Sequence, residues 1–80
     1  MYYIRDIVIK KDGFFRDTII RTLHGKENVS GFVIPNRNDI ITIVGDDGLT
    51  HVLSVRYIEY DYDTYWHNRD GAIEITVHCR

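Results

Sequence analysis

The sequence is poor in several residue types: among its 80 residues there is one cysteine, one proline and one alanine, and there is no glutamine. The single cysteine, Cys79, cannot form an internal disulfide, so a disulfide-stabilised secreted mini-protein is excluded and a reducing compartment is favoured. No apolar run approaches the roughly 20 residues that span a bilayer, and the charges scattered through residues 1–11 argue against a signal peptide. We expect a cytoplasmic protein with no membrane partner.

What the sequence does contain favours β-structure. It has 12 isoleucines, 7 valines, 6 threonines and ten aromatic residues. Residues of these types are enriched in strands, whereas the scarce alanine and glutamine are strong helix formers. Apolar residues make up 44% and charged residues 28% of the chain, which is typical of a folded protein. A chain this short has room for one hydrophobic core, so residues 1–80 are predicted to form a single domain.

Alternation of apolar and polar residues locates the strands. A first strand is predicted at residues 2–10, ending at a turn of residues 11–13. A hairpin is predicted at residues 40–60, with Asp46, Asp47 and Gly48 at its turn. In its second strand, the predicted inner face is Leu49, Leu53, Val55 and Tyr57. In the last strand, Ile73, Ile75, Val77 and Cys79 are predicted to face the core, and Glu74, Thr76, His78 and Arg80 to face solvent.

Two segments are less regular. Residues 14–25 fit either a strand or one short helix near residues 14–24, and the run of β-branched residues 18–20 favours the strand. Residues 29–34 are predicted to form a short strand closed by Pro35 and the polar turn 36–39. The resulting fold class is mainly β: a small, partly open β-barrel of SH3-like or OB-like type, or a strongly bent antiparallel sheet.

Charge is distributed unevenly along the chain. Residues 1–37 carry seven Lys and Arg against four acids, and residues 38–80 carry three against eight. If the two halves formed different faces, the molecule would have a basic side and an acidic side. Because the halves of a β fold often interleave, solvated outward faces are the simpler interpretation.

The sequence contains no enzyme motif: there is no Gly-rich phosphate loop, HExxH, GxSxG or CxxC. His78 and Cys79 are adjacent in a strand and would point to opposite faces, so they are not predicted to form a catalytic pair. Asp61, Asp63, His67 and Asp70 lie close together in sequence, but an EF-hand would need further ligands at fixed positions, and the histidines lack zinc-site spacing. We predict a non-enzymatic protein with no catalytic residues, metal or cofactor.

The segment EYDYDTYWHNRDG, residues 59–71, carries the most distinctive functional signal. Tyrosine and tryptophan are enriched at protein interfaces, and carboxylates around them suit a basic partner surface. Alternation would send Tyr57 to one face and Tyr60 and Tyr62 to the other, so some of these rings should be exposed. The predicted partner-binding residues are Tyr60, Asp61, Tyr62, Asp63, Tyr65, Trp66, His67 and Asp70. The alternative is that Tyr57, Tyr60 and Trp66 close the end of the barrel, with HNRDG as a hairpin turn.

The leading hypothesis is a protein-binding module, monomeric or homodimeric, with the character of a small inhibitor or adaptor that a virus or mobile element directs at a host protein. That character is assigned by analogy. The alternative is a nucleic-acid-binding small β-barrel that uses the basic N-terminal half, namely Arg5, Lys10, Lys11, Arg16, Arg21, Lys26 and Arg37. A third hypothesis is a dimer formed through residues 2–10 or 73–80 as unpaired edge strands.

Overall fold

A computed structural model describes residues 2–64 and 71–80, which form five strands and one short helix. In chain order these are β1 (Tyr2–Lys11), β2 (Thr18–His24), α1 (Lys26–Ser30), β3 (Ile40–Val44), β4 (Thr50–Thr64) and β5 (Gly71–Cys79). The strands form one sheet in the order β2-β1-β5-β4-β3, curled into a half-barrel. The prediction of a mainly β, partly open barrel is confirmed. The sheet is mixed, however, because β1 and β5 run parallel while every other pair is antiparallel.

The outermost strands of the sheet, β2 and β3, are brought together by the turn between β3 and β4. The backbone N–H of Asp46 donates to the carbonyl of Ile20 at 2.8 Å, and the N–H of Thr22 donates to the Asp46 carboxylate at 3.2 Å. The Arg21 guanidinium also donates to the carbonyl of Val44 at 3.0 Å. These bonds join opposite edges of one sheet, which is why the sheet curls instead of staying open.

Strand β4 is long and bent, and its two halves pair with different neighbours. Residues 50–54 pair with β3, and residues 55–64 pair with β5. A register shift falls between Val55 and Tyr57, where a β-bulge increases the bend. Beyond Val55, β5 is the only described strand that pairs with β4, so this half is an edge of the described sheet. The predicted hairpin is confirmed, including Gly48 at a positive φ of 82° in its turn.

The core lies on the inner face of the curled sheet. Its buried residues are Ile7, Ile9, Ile20, Leu23, Val29, Leu53, Val55, Ile75, Val77 and Cys79. The predicted inward orientation is therefore confirmed for Leu53, Val55, Ile75, Val77 and Cys79. The prediction is wrong for Leu49 and Tyr57, whose exposed fractions are 63% and 46%. Leu49 precedes the strand, and the bulge reverses the alternation so that Ile58 packs against the core in place of Tyr57.

The prediction of a solvent-facing side for β5 is wrong at Thr76 and His78, which are only 7% and 6% exposed. Because β5 is the central strand, β1 and β4 flank it on both sides and their side chains cover its outer face. Tyr57 stacks on His78 from the neighbouring strand. Strand alternation predicts which face a residue occupies, but its burial also depends on the neighbouring strands.

The region after residue 13 differs in part from prediction. The preferred strand is confirmed as β2, while Phe14–Asp17 belong to the loop before it and the helix lies at Lys26–Ser30 instead of residues 14–24. Val29 and Ser30 belong to this helix, so the strand predicted at residues 29–34 is wrong. Gly25, at a φ of 84°, turns the chain out of β2, and the Asn28 side chain donates to the carbonyl of His24 at 2.7 Å. Val29 is thereby packed into the core.

Both strands proposed as dimer edges are interior strands. β1 pairs with β2 and β5, and β5 pairs with β1 and β4. A dimer built by adding strands to residues 2–10 or 73–80 is therefore ruled out by the topology, because their backbone hydrogen bonds are already used within the sheet. Within the described ranges, no helix has the length and apolar character needed to cross a membrane.

Candidate functional site

Three tyrosines of β4 have about half of their surface exposed. The exposed fractions are 46% for Tyr57, 50% for Tyr60 and 56% for Tyr62. Tyr57 lies opposite His78 on the outer face, whereas Tyr60 and Tyr62 lie opposite Ile75 and Ile73, on the inner-face side. This confirms the predicted division of Tyr57 from Tyr60 and Tyr62, but Tyr57 lies on the outer face instead of the predicted inner one. The rings project on both sides of the edge half of β4, where a partner can reach them.

The Tyr57 ring is held in place by its neighbours. It stacks on the His78 imidazole with ring centroids 4.2 Å apart and an angle of 13° between the ring planes. The Arg56 guanidinium carbon lies 5.6 Å from the centroid of the same ring, within the range of a cation–π contact. A ring that is fixed before binding loses little conformational entropy in a complex.

A row of three carboxylates crosses the outer face of the sheet, the face that also carries Tyr57. Asp6 of β1 lies opposite Glu74 of β5, and Glu74 lies opposite Asp61 of β4. We call these three residues the carboxylate row. Like charges directly opposite one another in a sheet are destabilising unless a basic side chain lies between them. Only Asp61 was predicted as a site residue, because Asp6 and Glu74 are far from it in sequence and only strand pairing brings them together.

Basic side chains compensate one end of the carboxylate row. Arg5 donates to Asp6 at 3.1 Å and to Glu74 at 3.0 Å, and Nδ1 of His24 lies 2.7 Å from the other oxygen of Asp6. The hydrogen bond from His24, followed by that from Arg5, lowers the pKa of Asp6 below its ordinary value of 3.8. The two carboxylates in turn raise the pKa of Arg5. Glu59 and Asp61, at the β4 end, are exposed.

We define the acidic tyrosine surface as the carboxylate row together with Tyr57, Glu59, Tyr60 and Tyr62. This surface wraps around the edge half of β4, because Tyr60 and Tyr62 lie on the inner-face side and the other members on the outer face. Of the predicted partner-binding residues, it contains Tyr60, Asp61 and Tyr62. Asp63 lies in β4 by its backbone position, opposite Ala72. Tyr65, Trp66, His67 and Asp70, and the turn predicted at HNRDG, lie outside the described residues. The prediction that these residues bind a partner remains a prediction.

Three of the basic residues that the structure describes contact acids or backbone from other parts of the chain. Arg5 contacts two acids of the carboxylate row, and Arg21 donates to a backbone carbonyl. Arg56, from the acidic half of the chain, pairs with Asp12 from the basic half. The charged residues of the two halves are therefore interleaved, and solvation of mixed outward faces is the interpretation that fits.

Two other surface features were not predicted. Phe14 and Phe15, at the loop between β1 and β2, are 94% and 93% exposed, with ring centroids 4.9 Å apart. A cavity of about 780 Å³ lies between β1 and α1 and includes Ile4, Val29 and Phe32 in its lining. Tyr57, Tyr60 and Tyr62 do not line this cavity. The half-exposed tyrosines therefore do not belong to this concave site.

Comparison with known proteins found no matching family model, no matching curated protein and no matching solved structure. Function is therefore inferred from the residues and their arrangement.

Proposed function

We propose that this protein is a non-enzymatic binding module that contacts a basic surface of a protein partner through the acidic tyrosine surface. The observation that carries this proposal is the placement of three half-exposed tyrosines on an edge strand, with Tyr57 on the face of the carboxylate row and Tyr60 and Tyr62 on the opposite face. Tyrosines supply contact area and a hydroxyl that can bond to the partner. The carboxylates supply charge complementarity and speed the encounter with a basic surface.

The carboxylate row gives a second reason to favour a basic partner. Arg5 bonds to both Asp6 and Glu74, and His24 bonds to Asp6, whereas Asp61, at the β4 end of the row, is exposed. Arginine or lysine side chains of a partner could pair with the exposed carboxylates of Asp61 and Glu59.

A basic protein surface of this kind includes one that ordinarily receives nucleic acid. The finer form of the proposal is therefore a small cytoplasmic inhibitor or adaptor, of the type that viruses and mobile elements encode, which occupies such a surface on a host protein. This step is an analogy from the chemistry of the acidic tyrosine surface. The same chemistry disfavours the nucleic-acid alternative, since carboxylates beside the rings repel phosphate.

The test is quantitative affinity capture followed by binding measurements with the purified candidate partner. The test variant is the double substitution Tyr60→Ala/Tyr62→Ala, which removes two exposed rings from the acidic tyrosine surface. The matched control is Phe14→Ala/Phe15→Ala, which removes two exposed rings from the β1–β2 loop. We expect the test variant to weaken binding by about tenfold or more, as hot-spot aromatic residues do, and the control to bind like the unsubstituted protein.

Circular dichroism and thermal unfolding of both variants would establish that each retains the fold. The proposal is contradicted if both variants bind equally well. It is also contradicted if the unsubstituted protein binds labelled oligonucleotides with an affinity that falls steeply between low and high salt, because that dependence reports phosphate contacts. Loss of folding in the Tyr60/Tyr62 variant would show that these rings serve the core instead.

A further inference from the structure

A cluster of polar side chains adjoins the acidic tyrosine surface, where the β1–β2 loop meets the outer face of β5. Asp12, Asp17 and His78 each offer one potential ligand atom, and these atoms lie within 4.8 Å of one another. Asp12 and Asp17 flank the loop, while His78 is more than sixty positions further along the chain. No ligand spacing in the sequence could reveal this cluster, because only the pairing of β1 with β5 assembles it.

The tautomer of a neutral His78 ring follows from its partner on β4. Nε2 of the imidazole lies 2.8 Å from Oε1 of Glu59. An ionised carboxylate can only accept a hydrogen bond, so Nε2 carries a proton and donates it. In a neutral imidazole Nδ1 is then an acceptor with a lone pair. Glu59 thus fixes both the tautomer and the orientation of the ring.

The free ring nitrogen of His78 points into the cluster. The residue is only 6% exposed, and its Nδ1 atom is buried with no hydrogen-bond partner among the described residues. The nearest carboxylate oxygen, Oδ1 of Asp12, is 3.8 Å away, which is too far for a hydrogen bond. A buried lone pair facing a carboxylate is unfavourable, because both groups are acceptors. A cation placed between them would satisfy both.

We propose that Asp12, Asp17 and His78 bind one divalent transition-metal ion, with Zn²⁺ as the representative. The ligand atoms would be Nδ1 of His78, Oδ1 of Asp12 and a carboxylate oxygen of Asp17. Bonds from Zn²⁺ to nitrogen and oxygen are about 2.0–2.2 Å long, so two atoms on one ion lie about 3–4 Å apart. The 3.8 Å separation between His78 and Asp12 falls in this range. Asp17 is exposed in the loop and can approach the ion.

Glu59 acts as a positioning residue at this site. Histidine ligands of metal ions commonly donate their other ring N–H to a carboxylate, which fixes the ring and makes the ligating nitrogen more basic. The bond from Nε2 of His78 to Glu59 has this form. Arg56 plays a similar part for Asp12, because it pairs with Oδ2 and leaves Oδ1 directed towards His78.

The charged groups around the cluster indicate which kind of ion it would select. Asp12, Asp17 and Glu59 are acidic, but Arg56 and Arg80 line the same shallow depression as Asp12, and Lys10 lies opposite His78. The positive charges of the basic side chains balance the negative charges of the carboxylates. The surrounding charges therefore attract a cation only weakly. Binding must come from direct ligation, and a mixed nitrogen and oxygen ligand set favours Zn²⁺, Mn²⁺ or Fe²⁺ over Mg²⁺ or Ca²⁺.

The test is titration of chelator-treated full-length protein with Zn²⁺ alone, followed by long-range ¹H–¹⁵N NMR of the histidine rings. We expect one equivalent of Zn²⁺ to shift the Nδ1 resonance of His78 while Nε2 keeps its proton. Asp17→Asn removes a ligand at an exposed loop position, so the fold should persist, and Zn²⁺ affinity should fall by about tenfold or more. The unchanged backbone spectrum of the variant would verify the fold.

The matched control is Asp47→Asn, which alters the carboxylate beside His51 in the β3–β4 turn. That substitution should leave Zn²⁺ affinity unchanged. The proposal is overturned if Zn²⁺ leaves the His78 ring resonances unaltered, or if Asp17→Asn binds Zn²⁺ as tightly as the unsubstituted protein. A proton on Nδ1 at neutral pH that Zn²⁺ does not displace would also overturn it, since His78 would then be an imidazolium paired with Glu59 and Asp12.

Discussion

At the scale of single residues, Asp6 connects the acidic tyrosine surface to the stability of the fold. It stands at one end of the carboxylate row and accepts hydrogen bonds from Arg5 and His24. These bonds favour the charged form of the carboxyl group, which is why its pKa lies below the ordinary value of 3.8. Asp6 therefore contributes to stability while it is ionised.

The pH dependence follows from the direction of this pKa shift. A carboxyl group whose pKa is lower in the folded state stabilises the fold above its unfolded pKa, and this contribution is lost as the pH falls through the folded value. We expect the folded protein to lose stability as the pH drops below about 4, and Asp6→Asn to flatten that part of the profile. Urea unfolding at pH 6, 4 and 3 would measure both. If Asp6→Asn loses as much stability on acidification as the unsubstituted protein, other carboxyl groups cause the loss.

Residue-level prediction from the sequence succeeded where alternation alone decides the outcome. The inward positions Ile75, Val77 and Cys79 and the division of Tyr57 from Tyr60 follow from the two-residue period of a strand. The burial of Thr76 and His78 could not be predicted, because it depends on β5 lying between two neighbours. The row formed by Asp6, Glu74 and Asp61 was missed for the same reason, since it depends on strand order and register.

At the scale of the elements, the turn between β3 and β4 closes the half-barrel through Asp46. Its backbone N–H and its carboxylate bond to β2 on the far edge of the sheet. Asp46 therefore protects two backbone groups of an edge strand that would otherwise be open to water or to another chain. The turn both reverses the chain and links the two edges.

Replacing Asp46 by alanine tests this closure. The variant keeps the backbone bond to Ile20 but loses the acceptor for the Thr22 N–H, so we expect faster hydrogen exchange at the Thr22 amide and a loss of about 0.5–1.5 kcal/mol in unfolding free energy. Asp47→Ala, in the same turn, is the control, because the Asp47 carboxylate bonds to Leu49 and His51 and does not contact β2. Equal exchange at Thr22 in both variants would contradict the closing role of Asp46.

Element types could be predicted better than their partners. The strands β1, β2, β3, β4 and β5 all correspond to predicted strands, because β-branched residues and alternation mark them locally. The helix was misplaced, since Lys26–Ser30 is only five residues long and has no amphipathic repeat to detect. The parallel pairing of β1 with β5 depends on contacts between the two ends of the chain, and no local pattern encodes it.

At the scale of the whole molecule, a small core leaves large side chains outside. The inner face is filled mainly by isoleucine, valine and leucine, and Tyr57, Tyr60 and Tyr62 remain half exposed. The edge half of β4 carries Tyr57 on the face of the acids of β1 and β5, and Tyr60 and Tyr62 on the other face. Both the shape and the charge of the acidic tyrosine surface therefore come from the way one mixed sheet curls and ends.

The central claim is that the β4 tyrosines are accessible in the folded, unbound protein. Photochemically induced dynamic nuclear polarisation NMR measures this directly, because a flavin dye polarises only the tyrosine and histidine rings that it can touch. We predict polarised signals from Tyr57, Tyr60 and Tyr62 and none from the buried His78, which serves as the internal reference. The account would be contradicted if the three tyrosines, like His78, gave no polarised signal in a protein whose spectrum shows it folded.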